Sequence, residues 1–353
     1  MPHIAINEAA PFQLHSPGTL DEALQLAQQY QGNCSYLAGG CDLMDMKKRQ
    51  WNNTAHVIDL KRIDALKGVR RSGERLVVGA LAKLSELQNG DFGPELHALK
   101  QAAARVATPQ IRNMGTAGGN LLQDNRCPYF RGPFYCYRHG GNVCYAHHGV
   151  NREHALFDGD RCYTVSPSDL APVVVALDAI IHVRDFKRAY TIPAARLFVA
   201  PSEDITIMHR VQNGAILTGI EIPLRGGNRR SAFIKDTIRN SWDFARGSIA
   251  VSMDWDGRTM HQVRVVIGAV AAVPWRSYAA ERVLEGAEPS AQTLQAAAEA
   301  ATRGAETLQY NAYKIGMTQA LVHDVLSTIT SSEPEPPKSA ARMGGQLPRF
   351  LFS

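Results

Sequence analysis

The chain has 353 residues and a formal net charge of +5 at neutral pH, with 45% hydrophobic and 20% charged residues. This length predicts two domains, and the balance is that of a globular protein, not of a fibrous or disordered one. The sequence predicts no membrane span and no secretory leader, and the basic groups Lys47-Lys48-Arg49 and Arg225, Arg229, Arg230 read as solvated faces without the interleaved aromatics of a nucleic-acid platform.

The first predicted element is a helix. Thr19 with Glu22 three residues on forms a capping-box pattern, Leu20, Ala23, Leu24 and Ala27 make one apolar stripe, and Gly32 follows the end. A strand at 35–37 then runs into Ala38-Gly39-Gly40-Cys41-Asp42, a helix starts at Leu43, and 57–60 reads as the next strand. This is a βαβ-like opening with a glycine turn at a strand's end. Further along, 75–81 is a strand, 95–107 a helix, 169–179 a helix, and 180–183 and 216–222 are strands. The polar, glycine-rich stretch 223–230 is a domain boundary. Three strands (231–234, 248–255, 263–271) and three helices (277–285, 290–303, 313–329) follow, an α+β pattern. The proline-rich tail 331–353 is expected to be extended, with Phe350-Leu351-Phe352 apolar enough to dock.

Two glycine turns carry the binding chemistry. Gly39-Gly40 stands where a strand hands over to a helix, and glycine there lets backbone amides approach a phosphate. Neither a Gly-x-Gly-x-x-Gly fingerprint nor a P-loop lysine accompanies it, so taken alone it reads first as a tight turn without ligand. The second turn, Gly115-Thr116-Ala117-Gly118-Gly119-Asn120, lies about 75 residues on and adds a hydroxyl and an amide. Together the two turns are suited to the two ends of a dinucleotide.

Between Asn120 and Asp169 lie four cysteines, Cys127, Cys136, Cys144 and Cys162, with 8, 7 and 17 residues between successive members. Structural zinc sites commonly use knuckles of two to four intervening residues, and none is present. A [4Fe-4S] cube takes one thiolate per iron and tolerates wider spacing, so iron–sulfur is favoured over zinc and over disulfides. His139, His147, His148 and His154 could serve as metal ligands but read first as loop histidines, and the aromatic residues of the window as packing.

Ala38–Leu43, Ile111-Arg112-Asn113-Met114-Gly115-Thr116-Ala117-Gly118-Gly119-Asn120 and Ser166-Pro167-Ser168-Asp169 resemble, in order and spacing, the motifs of the FAD-binding medium subunit of the xanthine dehydrogenase (molybdenum hydroxylase) family. The resemblance spans roughly residues 3–330. It implies an α+β fold with a two-part, PCMH/VAO-like FAD-binding domain at 1–225 and a small CO-dehydrogenase-flavoprotein-type C-terminal domain at 226–330. Ala38, Gly39, Gly40, Cys41, Asp42 and Leu43 would cradle the pyrophosphate, with Thr116, Gly118, Gly119 and Asn120 lining a second loop and Ile111 packing nearby. Asp169 would accept hydrogen bonds from the cofactor, and Lys235 would approach the flavin from the C-terminal domain, or else be a solvated strand lysine. Cys41 departs from the hydroxyl or polar residue common in relatives.

The insertion at 121–165 resembles the branch of 4-hydroxybenzoyl-CoA reductase and the aldehyde oxidoreductase trimers, implying a [4Fe-4S] cluster on Cys127, Cys136, Cys144 and Cys162. The partners implied are a molybdopterin-containing large subunit that oxidises an aldehyde, aromatic or heterocyclic substrate, a [2Fe-2S] small subunit, and a ferredoxin-like or oxygen acceptor. No nucleophile–base arrangement is visible in this chain. A cytoplasmic location is expected, or a periplasmic one by export with a signal-bearing partner. A stand-alone FAD oxidase or dehydrogenase and a zinc-stabilised scaffold remain the alternatives.

Overall fold

The computed structural model of the chain describes residues 10–212 and 214–331. Among the described residues the strands form three sheets. The first is parallel, in the order Gln13–His15, His56–Asp59, Cys34–Leu37. The expected βαβ opening is present: Cys34–Leu37 enters the turn at Gly39, helix Leu43–Lys48 follows, and His56–Asp59 returns alongside. Helix Leu20–Gln29 has the predicted capping box, Thr19 and Glu22 bonding reciprocally. It buries Ala23, Leu24 and Ala27 on Ile58, Leu60 and Ile63, a small core of its own.

The second sheet is antiparallel, in the order Val69–Ser72, Arg75–Gly79, Ile216–Pro223, Ile180–Arg184, Ala189–Pro193. Its two edge strands are absent from the sequence reading because their residues are mostly exposed, which removes the apolar alternation that marks a half-buried strand. Helix Leu170–Ala176 has all seven residues buried, as a helix apolar on every side must. It shares the largest core with helix His97–Arg105 and this sheet. The predicted helix over 95–107 is shorter at both ends, with a single 3-10 turn at Pro94–Leu96 before it.

The third sheet is antiparallel, in the order Trp275–Arg276, Met260–Gly268, Gly247–Trp255, Arg229–Asp236. Both of its faces are covered, and the strand period divides them. Phe233, Ala250 and Val266 belong to the large core of the first part, while Ile249, Val251, Val265 and Ile267 join a second core with helices Tyr278–Leu284, Ala291–Ala301 and Tyr313–Thr330. The C-terminal sheet is thus packed directly on the first part of the chain.

Several basic residues are not the solvated faces expected of them. Lys47 is 1% exposed, its ammonium donating to the Thr54 carbonyl at 2.7 Å and standing 4.9 Å from the Phe12 ring centre. Arg229 is buried and bonds the Ala176 carbonyl and the Ser252 hydroxyl. Arg230 lies over Trp255 and donates to the Ile329 carbonyl, whereas Arg225 is exposed as expected and pairs with Asp178 at 2.7 Å. The strand that carries Arg229 therefore starts inside the stretch read as a polar boundary. Charge counting missed this because carbonyl and aromatic partners leave no charge pattern in sequence. The predicted tail from 332 onward, with Phe350-Leu351-Phe352, lies outside the described residues.

Candidate functional site

A cleft of about 940 Å³ opens within the first part of the chain, with residues 242–244 of the C-terminal part at one edge. Every residue from Ala38 to Leu43 lines it, together with Ile111, Thr116, Gly118, Gly119, Asn120 and Asp169. The two glycine turns, remote in sequence, face each other there. A Cβ built on Gly39 would stand 2.3 Å from the Met114 carbonyl oxygen and 2.9 Å from the Gly115 Cα. Only glycine permits this approach of backbone to backbone. Gly40 takes a φ of +77°, so the first turn uses one glycine for closeness and the next for conformation.

The second turn is pinned from behind. Thr116 caps the short helix Ala117–Leu121, its hydroxyl accepting from the Gly119 amide at 3.2 Å. The Gly118 amide bonds the Ala80 carbonyl at 2.9 Å. Asn120 Oδ1 accepts from the Ser168 hydroxyl at 2.8 Å and the Leu170 amide at 3.3 Å, which ties this turn to the Ser166–Asp169 segment. Helices Leu43–Lys48 and Ala117–Leu121 have six and five residues, so turn amides rather than a helix dipole must serve an anion here.

Lys235 is not in the cleft lining and is not a solvated strand lysine. Its ammonium sits behind Asp169, 2.6 Å from the carboxylate, and also donates to the Arg105 carbonyl at 3.1 Å. The two side chains are 1% and 6% exposed. Burial pushes the Asp169 carboxyl above its ordinary value, against the pull of Lys235. The pair joins the wall of the cleft to the C-terminal sheet.

The cysteine window folds against the same cleft. The Asp42 carboxylate of the first turn pairs with Arg126 at 2.8 Å and Arg131 at 3.0 Å, both from the insertion. Arg138 pairs with Asp124 at 3.1 Å and lies over Phe130. All four of Cys127, Cys136, Cys144 and Cys162 are free thiols and line one small cavity, with Tyr129, Tyr145 and His154 among its other walls. Arg138 lines both this cavity and the large cleft. Burial raises the Cys127 thiol and pushes that of Cys162 up to about 12. Among the described residues no group of three or more His, Cys, Asp or Glu side chains is arranged to hold a single metal ion.

Residues passed over at the level of sequence complete the site. Arg126 and Arg138 stand on one wall and His209 beside them, its imidazole held below its ordinary value by burial. Trp242 and Phe244 form an outer rim from the loop between strands Arg229–Asp236 and Gly247–Trp255. Trp242 is held at a φ of +65° with its amide on the Ala107 carbonyl, and Arg126 lies over the Phe244 ring. His154, read as a loop histidine, is buried with its Nε2 3.4 Å from the Cys127 sulfur, and burial brings it down to about 4. Of these only Arg126, next to Cys127, had a neighbour in sequence that could have drawn attention to it.

Residues 10–225 match the family described as the FAD binding domain in molybdopterin dehydrogenase, and residues 232–329 match the CO dehydrogenase flavoprotein C-terminal domain. The chain belongs to the FAD-binding medium subunits of the molybdenum hydroxylase family. It is 31% identical over 283 residues to the aldehyde oxidoreductase FAD-binding subunit PaoB of Escherichia coli (strain K12), covering 78% of this chain and 87% of that protein. The carbon monoxide dehydrogenase medium chain of Hydrogenophaga pseudoflava is 26% identical over 321 residues, 90% of this chain and 96% of the relative. The solved carbon monoxide dehydrogenase from Hydrogenophaga pseudoflava superposes with a TM-score of 0.72 at 26% identity, over 92% of this chain and 98% of that one.

As a medium subunit of this family the protein is an FAD-binding component of a multi-subunit oxidoreductase. The cleft fits that cofactor. Its volume lies at the upper end of the ~300–1,000 Å³ range of cofactor pockets, its glycines hold backbone where a Cβ would intrude, and its Asp42 is already paired by two arginines, so no bare carboxylate of the first turn opposes a phosphate. Among the described residues no helix is long and apolar enough to cross a membrane.

Proposed function

We propose that this chain is the electron-transfer subunit of a heterotrimeric molybdenum hydroxylase and carries a [4Fe-4S] cluster in the 121–165 insertion besides its FAD. The substrate, an aldehyde or an aromatic or heterocyclic compound, is oxidised on a molybdopterin-containing large subunit. Electrons come to this chain through a [2Fe-2S] small subunit and leave for a ferredoxin-like protein or oxygen. The FAD part is 1–225 and the C-terminal part 226–330. A cytoplasmic location suits an assembly of labile clusters, and export with a signal-bearing partner is the alternative.

The observation that carries the reading is the juxtaposition of two sites: both glycine turns line one cleft, all four cysteines line a second cavity, and Arg138 stands in the wall of each. Bound FAD supplies exchange of single electrons and of pairs, which suits a junction between one-electron clusters and varied acceptors. The chain's own residues supply placement. The amides of 38–43 would meet the pyrophosphate, Thr116 to Asn120 would shape the second loop with Ile111 packed beside it, and Asp169, steadied by Lys235, would accept hydrogen bonds from the cofactor. Cys127, Cys136, Cys144 and Cys162, which line one cavity, would each supply one thiolate to a separate iron. The guanidinium of Arg138 places a fixed positive charge between the two cofactor sites and favours their reduced forms.

Anaerobic purification of the assembly tests the reading, with flavin, iron, acid-labile sulfide and copurifying chains measured together. One FAD and four irons per chain above those of the partner subunits are expected. Cys136→Ser should lose those irons and keep the flavin. One zinc per chain without iron would refute the cluster, and turnover of an organic substrate by this chain alone would refute the subunit role.

A further inference from the structure

His154 is the residue around the cysteine cavity that the reading above leaves without a task. It is 4% exposed, lines the cavity with all four thiols, and brings Nε2 to 3.4 Å from the Cys127 sulfur. Its other ring nitrogen, Nδ1, is buried with no hydrogen-bond partner among the described residues. A neutral imidazole protonated on Nδ1 would strand a buried donor, which is unfavourable. Protonated on Nε2, it places its only N–H on the sulfur. The favoured neutral tautomer therefore carries its proton on Nε2.

The alignment is held from both sides. The His154 carbonyl accepts from Asn311 Nδ2 at 3.2 Å and from the Lys314 ammonium at 3.2 Å, and its amide bonds the Asn151 carbonyl at 3.1 Å. Asn311 and Lys314 are fully buried at the start of helix Tyr313–Thr330, so the C-terminal part clamps the histidine. Opposite, the Cys127 amide donates to Asn125 Oδ1 at 3.0 Å, and Arg131 Nε holds the Asn125 carbonyl at 2.7 Å. Neither partner can drift without breaking buried bonds.

We propose that His154 is an N–H donor to the Cys127 sulfur that sets the reduction potential of the [4Fe-4S] cluster, with the C-terminal domain as the part that aims it. The inference rests on the cluster reading of the insertion. A hydrogen bond to a ligating thiolate withdraws electron density from sulfur and stabilises the more negative, reduced cluster, so it raises the potential. His154 is a positioning residue and not a fifth ligand, because four thiolates already complete four corners.

The test is an EPR-monitored redox titration of the intact complex carrying His154→Phe or His154→Gln, with iron, sulfide and flavin measured on the same samples. His154→Phe should retain iron and flavin and disfavour cluster reduction about tenfold, a shift of about 59 mV to more negative potential for one electron. His154→Gln keeps an N–H donor and should recover part of that shift. An unmoved potential with the cluster intact in His154→Phe overturns this inference alone. Loss of iron from both variants, with flavin and thermal stability retained, also overturns it, since the residue would then be a ligand. Wild-type complex without iron in this subunit overturns the cluster reading and this inference with it.

Discussion

Gly39→Ala isolates the closest contact in the cofactor cleft. The added methyl would meet the Met114 carbonyl oxygen at 2.3 Å, the Met114 carbonyl carbon at 2.9 Å and the Gly115 Cα at 2.9 Å. All three are backbone atoms, so no side chain can swing aside. An ordinary contact of this kind needs at least 3.4 Å, so the two glycine turns must part by about 1 Å. Overpacking of this sort costs about 1–3 kcal/mol. Both turns line the same cleft, so relief by separation changes the spacing of the amides on which the cofactor rests. If the cost falls on the bound state, affinity for FAD drops by about 5- to 150-fold. Gly316 serves as the control, because a Cβ there meets nothing within 4 Å and the residue lies exposed inside helix Tyr313–Thr330. Gly316→Ala should leave flavin content unchanged and raise stability by about 0.5–1 kcal/mol. The assay is released flavin per chain after gel filtration, with reconstitution of the apoprotein by added FAD. Gly39→Ala with full flavin content and wild-type affinity would refute the assignment of these turns to the cofactor.

Lys235→Met removes the partner of a carboxylate that is 6% exposed and should destabilise the protein by about 3–5 kcal/mol, read by denaturant unfolding. Asp169→Asn combined with it should recover much of that loss, and an equal loss in the double variant would count against the ion pair. Lys314 provides a pH signature: it ordinarily titrates near 10.5, and burial brings it down to about 8 in the folded chain. Below pH 8 both states hold the proton and the folded state bears the full cost of the buried ammonium. Between 8 and 10.5 the folded chain sheds the proton first, so this group makes stability rise with pH, by at most ~3 kcal/mol. Unfolding of wild type and Lys314→Met at pH 8 and pH 10 measures the difference, and identical pH dependence in the two would sink the argument.

Much of the fold was legible where neighbours three or four residues apart carry the signal. Thr19 and Glu22 announced the first helix, and the apolar, β-branched runs in 248–255 and 263–271 announced the two long strands of the last sheet. The elements that escaped were short or exposed, such as Val69–Ser72, Ala189–Pro193 and the helix Pro109–Met114, which buries no residue completely. Two-residue strand Trp275–Arg276 could not show a period at all. The site divides in the same way. Its glycines, Thr116, Asn120, Asp169 and the four cysteines have distinctive types at close spacing, whereas Arg138, His209, Trp242 and His154 are single residues of common types.

By itself the amino-acid sequence determined the local devices: two glycine turns, a four-cysteine insertion between Asn120 and Asp169, a capped first helix and an all-apolar helix at 170–176. Tertiary structure alone decided what those devices face. It set Gly39 against Met114, put Lys235 behind Asp169 across 66 residues, and gave Arg138 to two cavities at once. It also turned Lys47 and Arg229 from surface charges into buried ones, and brought His154 to Cys127 under the grip of Asn311 and Lys314. The physical reason is range. Capping, turn and periodicity signals arise from contacts within a few residues, while a buried charge survives only by virtue of carbonyls, carboxylates and rings that the fold delivers from far along the chain.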